Sequence, residues 1–425
     1  RCKMILSGKL SRYLIILSII IVASIVLPEF YSMAFFKAPE VKRPMYSPIT
    51  NDFIVTKMSN DSMIREDNLG NSLSREEYER LTPFFSYRQL IFREEMIDSF
   101  NGQEIDLQEV RKNNIFISIR STDIFRYNMN LNPLFESKPD RPDLVIPDEF
   151  FRINNRFEFI NCKTNTVEEE MSKPFTKALV DEGFNFPAKY IFGNPTTRKA
   201  FDEGYFIVDD NDLLFHLKQI KGKPYLKKIE IPSGMKIVYM AVREMLLREF
   251  YGVIITDDNK SYIISYDNYK LIELPSDGYD KSKMKFTLRG TLPYRTIELQ
   301  SDNSIKSIAT DRDYNIIKIY DENWVSNKDN LVGSISNIIF PFKLSFSDNH
   351  NQFINFYTEY SDFRFLILSI ISIFVYLFLS KKRNNKFTKE IHSTPYELKS
   401  LVYFSKNSQV YCEALNHFLS KKFGE

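Results

Sequence analysis

The chain has 425 residues, with 57 Lys and Arg against 55 Asp and Glu and a formal charge of +2. That balance excludes the broad basic field of a nucleic-acid binder. Apolar residues at 43% and aromatics at 15% suit a packed core and exclude a disordered chain, while only three cysteines, Cys2, Cys162 and Cys412, exclude a disulfide-stapled scaffold.

The first element is an apolar run at residues 13–28 (YLIILSIIIVASIVLP), preceded by Arg1, Lys3, Lys9 and Arg12. It predicts a transmembrane helix over 13–36, with Phe30, Tyr31, Phe35 and Phe36 at the interface. A cleaved signal peptide shares the basic start and apolar centre. The long centre and the weak cleavage site at Ser32-Met33-Ala34 favour an uncleaved anchor. Residues 37–46, with two prolines, read as a juxtamembrane linker.

Residues 51–57 (NDFIVTK) form the first expected strand. Ser74 and Glu77 have capping-box spacing and open a short helix that Pro83 stops; Asp106 and Glu109 open a second. Residues 114–120 (NIFISIR) alternate and predict a strand. Residues 131–147 are proline-rich and loop-like, and 150–161 (FFRINNRFEFIN) read as a strand pair or a bent strand. A helix is expected over 167–182, with Glu168, Glu169 and Glu170 at its N-terminal end and Gly183 closing it. Pro174 argues for a start at Lys173.

An internal repeat follows. GYFIVDDN at 204–211 is matched by GVIITDDN at 252–259 and more loosely by TIELQSDN at 296–303. Each copy leads through an Asp-Asn turn into an apolar run (213–217, 262–265, 305–308) and a further strand (226–232, 269–275, 314–320). Units near 186–232, 237–275 and 286–320, each of about four strands, carry the period of propeller blades. The expected fold is mainly β, propeller-like with a few short helices, between two transmembrane helices. The alternative is an irregular β-sandwich or meander.

A second apolar run at 365–380 (FLILSIISIFVYLFLS), followed by Lys381, Lys382, Arg383 and Lys386, predicts a second span over 363–380; its length and basic stop disfavour a buried core helix. Basic flanks stay cytoplasmic. Both can do so only if the chain crosses twice, which puts 1–12 and 381–425 inside and 37–362 outside, a topology compatible with a bacterial inner-membrane protein and its periplasm. In the tail, 396–404 and 411–418 have the pattern of amphipathic helices on a membrane or partner.

Recognisable chemistry is sparse. The four histidines, His216, His350, His392 and His417, show no metal-ligand spacing, and no P-loop, G-x-G-x-x-G or G-x-S-x-G occurs. The acidic positions Asp209, Asp210, Asp212, Asp257, Asp258 and Asp302 are what tight turns need, ahead of calcium binding. No catalytic residue, metal or cofactor is expected. The candidates for ligand or partner contact are Arg198, Lys199, Asp202 and Glu203, a charged cluster that otherwise reads as a solvated loop, with Arg198 best suited to an anion. His216, between Phe215 and Leu217 on an alternating strand, joins them beside the plainer reading of a core or surface histidine.

The motifs GNPTTRK at 193–199, DEGYF at 202–206, HLK at 216–218 and GKP at 222–224, with YSPITNDF at 46–53 and FFRIN at 150–154, resemble an uncharacterised family of envelope proteins of the Bacteroidetes group, a domain of unknown function. The resemblance runs from the first apolar run to the second, and the chain departs from it after Lys386, where no further apolar span follows. Members are often encoded beside ATP-binding-cassette transporter components, which implies an accessory role. The leading expectation is therefore a membrane-anchored accessory or sensor protein coupled to such a transporter and embedded in the lipid bilayer, more a binder than an enzyme. One alternative is an envelope hydrolase or lyase acting on glycans in a propeller channel; another is a structural scaffold of an envelope complex.

Overall fold

Between residues 41 and 323, strand-forming runs build five antiparallel sheets of three to five strands. The structure is a computed structural model. It describes residues 2–36, 41–59, 62–125, 131–141, 143–325, 327, 330–340, 342–346, 357–360, 367, 370, 371 and 374. The chain divides into two compact units. The larger, Phe35–Asn330 with Ser345–Tyr357, contains all five sheets.

Sheet I is Val41–Ser47, Asp52–Ser59 and Ser62–Glu66. Residues 41–46, expected as linker, are thus its first strand. Pro44 is tolerated because this is an edge strand, where a missing N–H breaks no ladder on the open side. Residues 37–40 of that expected linker lie outside the described residues. Sheet II is Asn132–Pro133, Glu149–Ile153, Phe157–Asn161 and Thr166–Val167; sheet III is Ala188–Gly193, Tyr205–Asp209, Leu214–Ile220 and Lys223–Ile229. Sheet IV is Ile237–Val242, Phe250–Thr256, Ser261–Ser265 and Leu271–Glu273. Sheet V is Lys285–Gly290, Arg295–Gln300, Ser304–Thr310 and Ile316–Asn323, and Ile115–Ile119 joins it beside Lys285–Gly290.

The sheets pack face to face because their middle strands are apolar on both faces. Every residue of Tyr205–Asp209 and of Phe250–Thr256 is buried, the pattern of strands covered on two sides. Tyr205, Ile207, Phe215 and Leu217 meet Phe151, Phe157 and Phe159 of sheet II. The opposite face of the same strands, Phe206, Val208 and Leu214, meets Ile237, Met240 and Ile254 of sheet IV. Phe250, Val253 and Ile255 then meet Phe286, Leu288 and Ile297 of sheet V. Tyr46 and Phe53 of sheet I pack with Ala309 of sheet V.

Helices and turns follow local chemistry. The Arg75–Leu81 helix opens on the reciprocal capping box of Ser74 and Glu77, and the Leu107–Lys112 helix on Asp106, which accepts from the Gln108 N–H. The Glu169–Asp181 helix begins four residues before Lys173 and keeps Pro174 inside, the Ser172 hydroxyl bonding back to the Glu168 carbonyl at 2.6 Å. Gly183, at φ +77°, closes it. At the first Asp-Asn turn the Asp209 carboxylate accepts from the N–H groups of Asn185, Asn211 and Leu213, so this acid organises its turn.

Gly204 enters the strand Tyr205–Asp209 at φ +68°, and a Cβ there would collide with the Leu217 carbonyl oxygen. Gly204→Ala is therefore expected to destabilise the domain by about 2–4 kcal/mol, read as a lowered Tm and a lowered denaturant midpoint at unchanged m.

The smaller unit holds the N-terminal helix Cys2–Phe35 up to Ala34, with Pro28 inside it, the helix Leu331–Ile339, and most of the two-stranded sheet Phe342–Ser345 and Tyr357–Tyr360. Within the first helix, Leu17–Phe35 is long and apolar enough to cross a membrane; at 1.5 Å per residue it spans about 28 Å. Tyr31 donates to the Val332 carbonyl at 3.1 Å and stands edge-on to Phe340. Of the second apolar run, Ile367, Ile370, Ile371 and Phe374 are described; they are helical and exposed. The remainder of that run and the 381–425 tail lie outside the described residues.

Candidate functional site

The charged loop between the first two strands of sheet III folds inward. Lys199 Nζ donates to the Asn194 carbonyl at 2.8 Å, Asp202 Oδ1 at 2.6 Å and Glu244 Oε1 at 2.7 Å. The three side chains are 3%, 1% and 0% exposed. Asp202 also accepts from Ser137 Oγ at 3.0 Å and the Gly204 N–H at 2.9 Å, and Glu244 from Asn194 Nδ2 at 2.7 Å. All three ammonium donors are used. Lys199 and Asp202 thus form a clamp onto the segment after Ile237–Val242, and the solvated-loop expectation is corrected for both. Arg198, one residue away, is exposed, with its backbone N–H on Thr196 Oγ1.

Glu203 and His216 belong to a second buried group. Glu203 is ion-paired with Lys218. Its carbonyl oxygen lies 2.5 Å from His216 Nε2, and Tyr269 Oη lies 2.9 Å from Nδ1. The imidazole stacks on Phe206 at 4.2 Å and meets Tyr251 edge-on at 5.1 Å. Burial, aided by the Lys218 cation, pushes His216 down to about 3. The ring is therefore neutral at pH 7, and a carbonyl beside Nε2 places the proton there, leaving Nδ1 to accept from Tyr269. Tyr251, Tyr266 and Tyr269 stack beside it, and burial raises all three phenols.

This histidine carries a pH signature. Its folded value lies below the ordinary 6.5, so below pH 6.5 the unfolded chain takes up a proton that the native ring refuses. The contribution to stability is full above 6.5 and falls as the pH drops towards 3. His216→Gln should flatten this part of the Tm–pH curve between pH 4 and 6.5 and leave the slope above pH 7 unchanged.

An open site lies elsewhere, within the same unit. A cavity of about 310 Å³ is bounded by Met45 and Tyr46 of sheet I and the adjoining Pro48, by Thr82, Phe84 and Phe85, by Asn114, Ile115 and Phe116, and by residues 289, 290 and 296 of sheet V with 291 and 294 of the turn between its strands. Strand register builds it: Arg289 is paired with Phe116 on one side and with Thr296 on the other. The Arg289 guanidinium lies 4.7 Å from the centre of the Phe116 ring. Its Nε is buried and has no hydrogen-bond partner among the described residues. Burial lowers the Arg289 pKa, with Glu298 opposing and Arg43 adding to that effect; burial likewise raises Glu298. Tyr46 and Tyr294 stand edge-on at 5.0 Å at the rim.

The structure therefore brings Lys199 and Asp202 together with Glu244, and Glu203 and His216 with Lys218 and three tyrosines. It leaves Arg198 outside both groups. Glu244, Tyr269 and Arg289 were missed from sequence because each is recruited by packing of a distant sheet and carries no local motif.

Comparison with known proteins finds a family model described as a domain of unknown function (DUF4857) matching residues 43–310. No curated protein matches. Among solved structures, one described as dihydro-heme d1 dehydrogenase NirN in complex with DHE is similar at 9% identity and a TM-score of 0.21, covering 54% of this chain and 57% of that one.

Proposed function

Because this chain belongs to the DUF4857 family, whose model spans residues 43–310, we propose that it is a membrane-anchored bacterial envelope protein whose β domain binds a ligand without transforming it. In this reading the β domain is periplasmic, the sheets are arranged as propeller blades, and both termini stay cytoplasmic. The protein serves as an accessory to an inner-membrane transporter of the ATP-binding-cassette type.

The cavity lining is the observation that carries the binding reading. Its charged residue is Arg289, and the lining includes no Asp, Glu, His, Cys or Lys. A glycan hydrolase needs two carboxylates facing its substrate; the buried Asp202, Glu203 and Glu244 are engaged by lysines, and the buried Glu298 is not among the cavity-lining residues. The apolar stretch Leu17–Phe35 supports anchoring, and basic flanks outside both apolar runs support a double crossing. The succession of sheets with buried middle strands and an exposed last strand in sheet V supports blades over a sandwich.

Two measurements test this reading. Protease added to intact spheroplasts should remove residues 37–362 and spare both tails. Affinity purification from detergent-solubilised membranes should recover transporter subunits with the chain. Protection of the β domain overturns the topology, and recovery of the chain alone overturns the coupling.

A further inference from the structure

We infer that the cavity beneath sheet I is a binding site for a small organic monocarboxylate with an apolar body, held by the Arg289 guanidinium. The inference deepens the binding reading above and rests on it.

Arg289 is held in place yet unused. Register fixes it between Phe116 and Thr296, and the Phe116 ring supports the guanidinium at 4.7 Å. Its Nε is buried without a partner among the described residues. The guanidinium is part of the cavity wall, and a guanidinium meets a carboxylate with directed, charge-assisted N–H···O bonds.

Charge and shape narrow the class. Glu298 lies on the same sheet face as Thr296, two residues along, and attracts Arg289 at longer range, while Arg43 repels it. Burial raises the Glu298 pKa, and the Arg289, Lys285 and Arg43 charges oppose that rise. Arg289 and Arg43 against Glu298 leave one positive charge, which matches one anionic charge; a dianion would leave excess charge in a low-dielectric space. Met45, Phe84, Phe85 and Ile115 line the rest, which calls for an apolar body. The volume of about 310 Å³ is near the lower end for small-molecule sites, which calls for a small one.

The test is calorimetric titration of the full chain in detergent with benzoate and hexanoate, against benzamide and inorganic phosphate. Benzoate and hexanoate should bind saturably, at least about tenfold tighter than benzamide, because the amide lacks the charge. Arg289→Lys keeps the charge and loses the fork, and should weaken benzoate by about tenfold with Tm nearly unchanged. Equal binding of benzamide, tighter binding of phosphate, an unaffected Lys variant, or silence of both carboxylates overturns the inference. So does binding confined to a peptide with a free C-terminal carboxylate. The wild-type comparison of benzoate with benzamide stands even if the variant misfolds. Mass spectrometry of the titrated benzoate separates the two claims: conversion overturns the binding-without-chemistry reading while leaving the site assignment, and absence of binding overturns the site alone.

Discussion

Lys199→Ala is expected to lower the Tm of the solubilised protein by roughly 10 °C, corresponding to about 3–5 kcal/mol. Asp202 and Glu244 are nearly solvent-free and face the same ammonium at 2.6 and 2.7 Å. Without it, two carboxylates remain in an interior that can neither hydrate nor pair them. Removal of one partner from a buried ion group costs far more than replacement of the whole group by neutral residues. The triple variant Lys199→Met, Asp202→Asn, Glu244→Gln should therefore recover most of the lost stability. Thermal melts of the three single, three double and triple variants give the coupling directly. A single variant within 1 °C of the wild type would show that the clamp is dispensable.

Arg295→Leu should have an effect of similar size. Arg295 is the largest fully buried side chain in the molecule's described core. It donates to Glu249 Oε2 at 2.5 Å, to the carbonyl oxygens of Thr291 and Tyr294 at 2.6 and 3.0 Å, and to Asn113 Oδ1 at 3.2 Å. One side chain thereby joins the entry of sheet IV, a turn of sheet V and the end of the Leu107–Lys112 helix. Glu249 also accepts from Arg312 and Tyr314. Burial alone would raise the Glu249 carboxyl; the Arg295 hydrogen bond and charge outweigh it and hold the group below the ordinary 4.5. Glu249 thus stabilises the fold fully above pH 4.5, and the contribution is lost as the pH falls through its lower folded value. Arg295→Leu should cost about 3–5 kcal/mol at pH 7. Glu249→Gln should cost less at pH 7 and reduce the acid-side slope of Tm below pH 4.5. An unaltered acid limb in that variant would count against the assignment.

Much of the architecture was readable locally. Ser74 with Glu77 and Asp106 announced helix starts because a cap is made by residues two or three positions apart. The runs 204–211 and 252–259 announced strands because apolar residues on both faces suit a sheet covered on two sides. The alternation in 114–120 predicted a strand, now Ile115–Ile119, and said nothing of its partner, which comes from a segment about 170 residues later. Two readings failed where tertiary context outweighed local pattern. Residues 37–46 looked like a linker because of two prolines, and in the strand that begins at Val41 an edge position absorbs Pro44. Asp202 and Glu203 looked solvated because charge usually is, and Lys199 and Lys218 supplied the counter-charges that allow burial.

Amphiphilic pattern alone established that this chain carries an apolar helix near one end, a β-rich body and a recurring strand–turn–strand unit, since each depends on neighbours along the backbone. Which charges are interior, that His216 is neutral among tyrosines, and that Arg289 stands in the wall of a cavity were decided only by sheets packing across long stretches of chain. Desolvation and ion pairing are properties of what lies across an interface, and no spacing in the sequence encodes them.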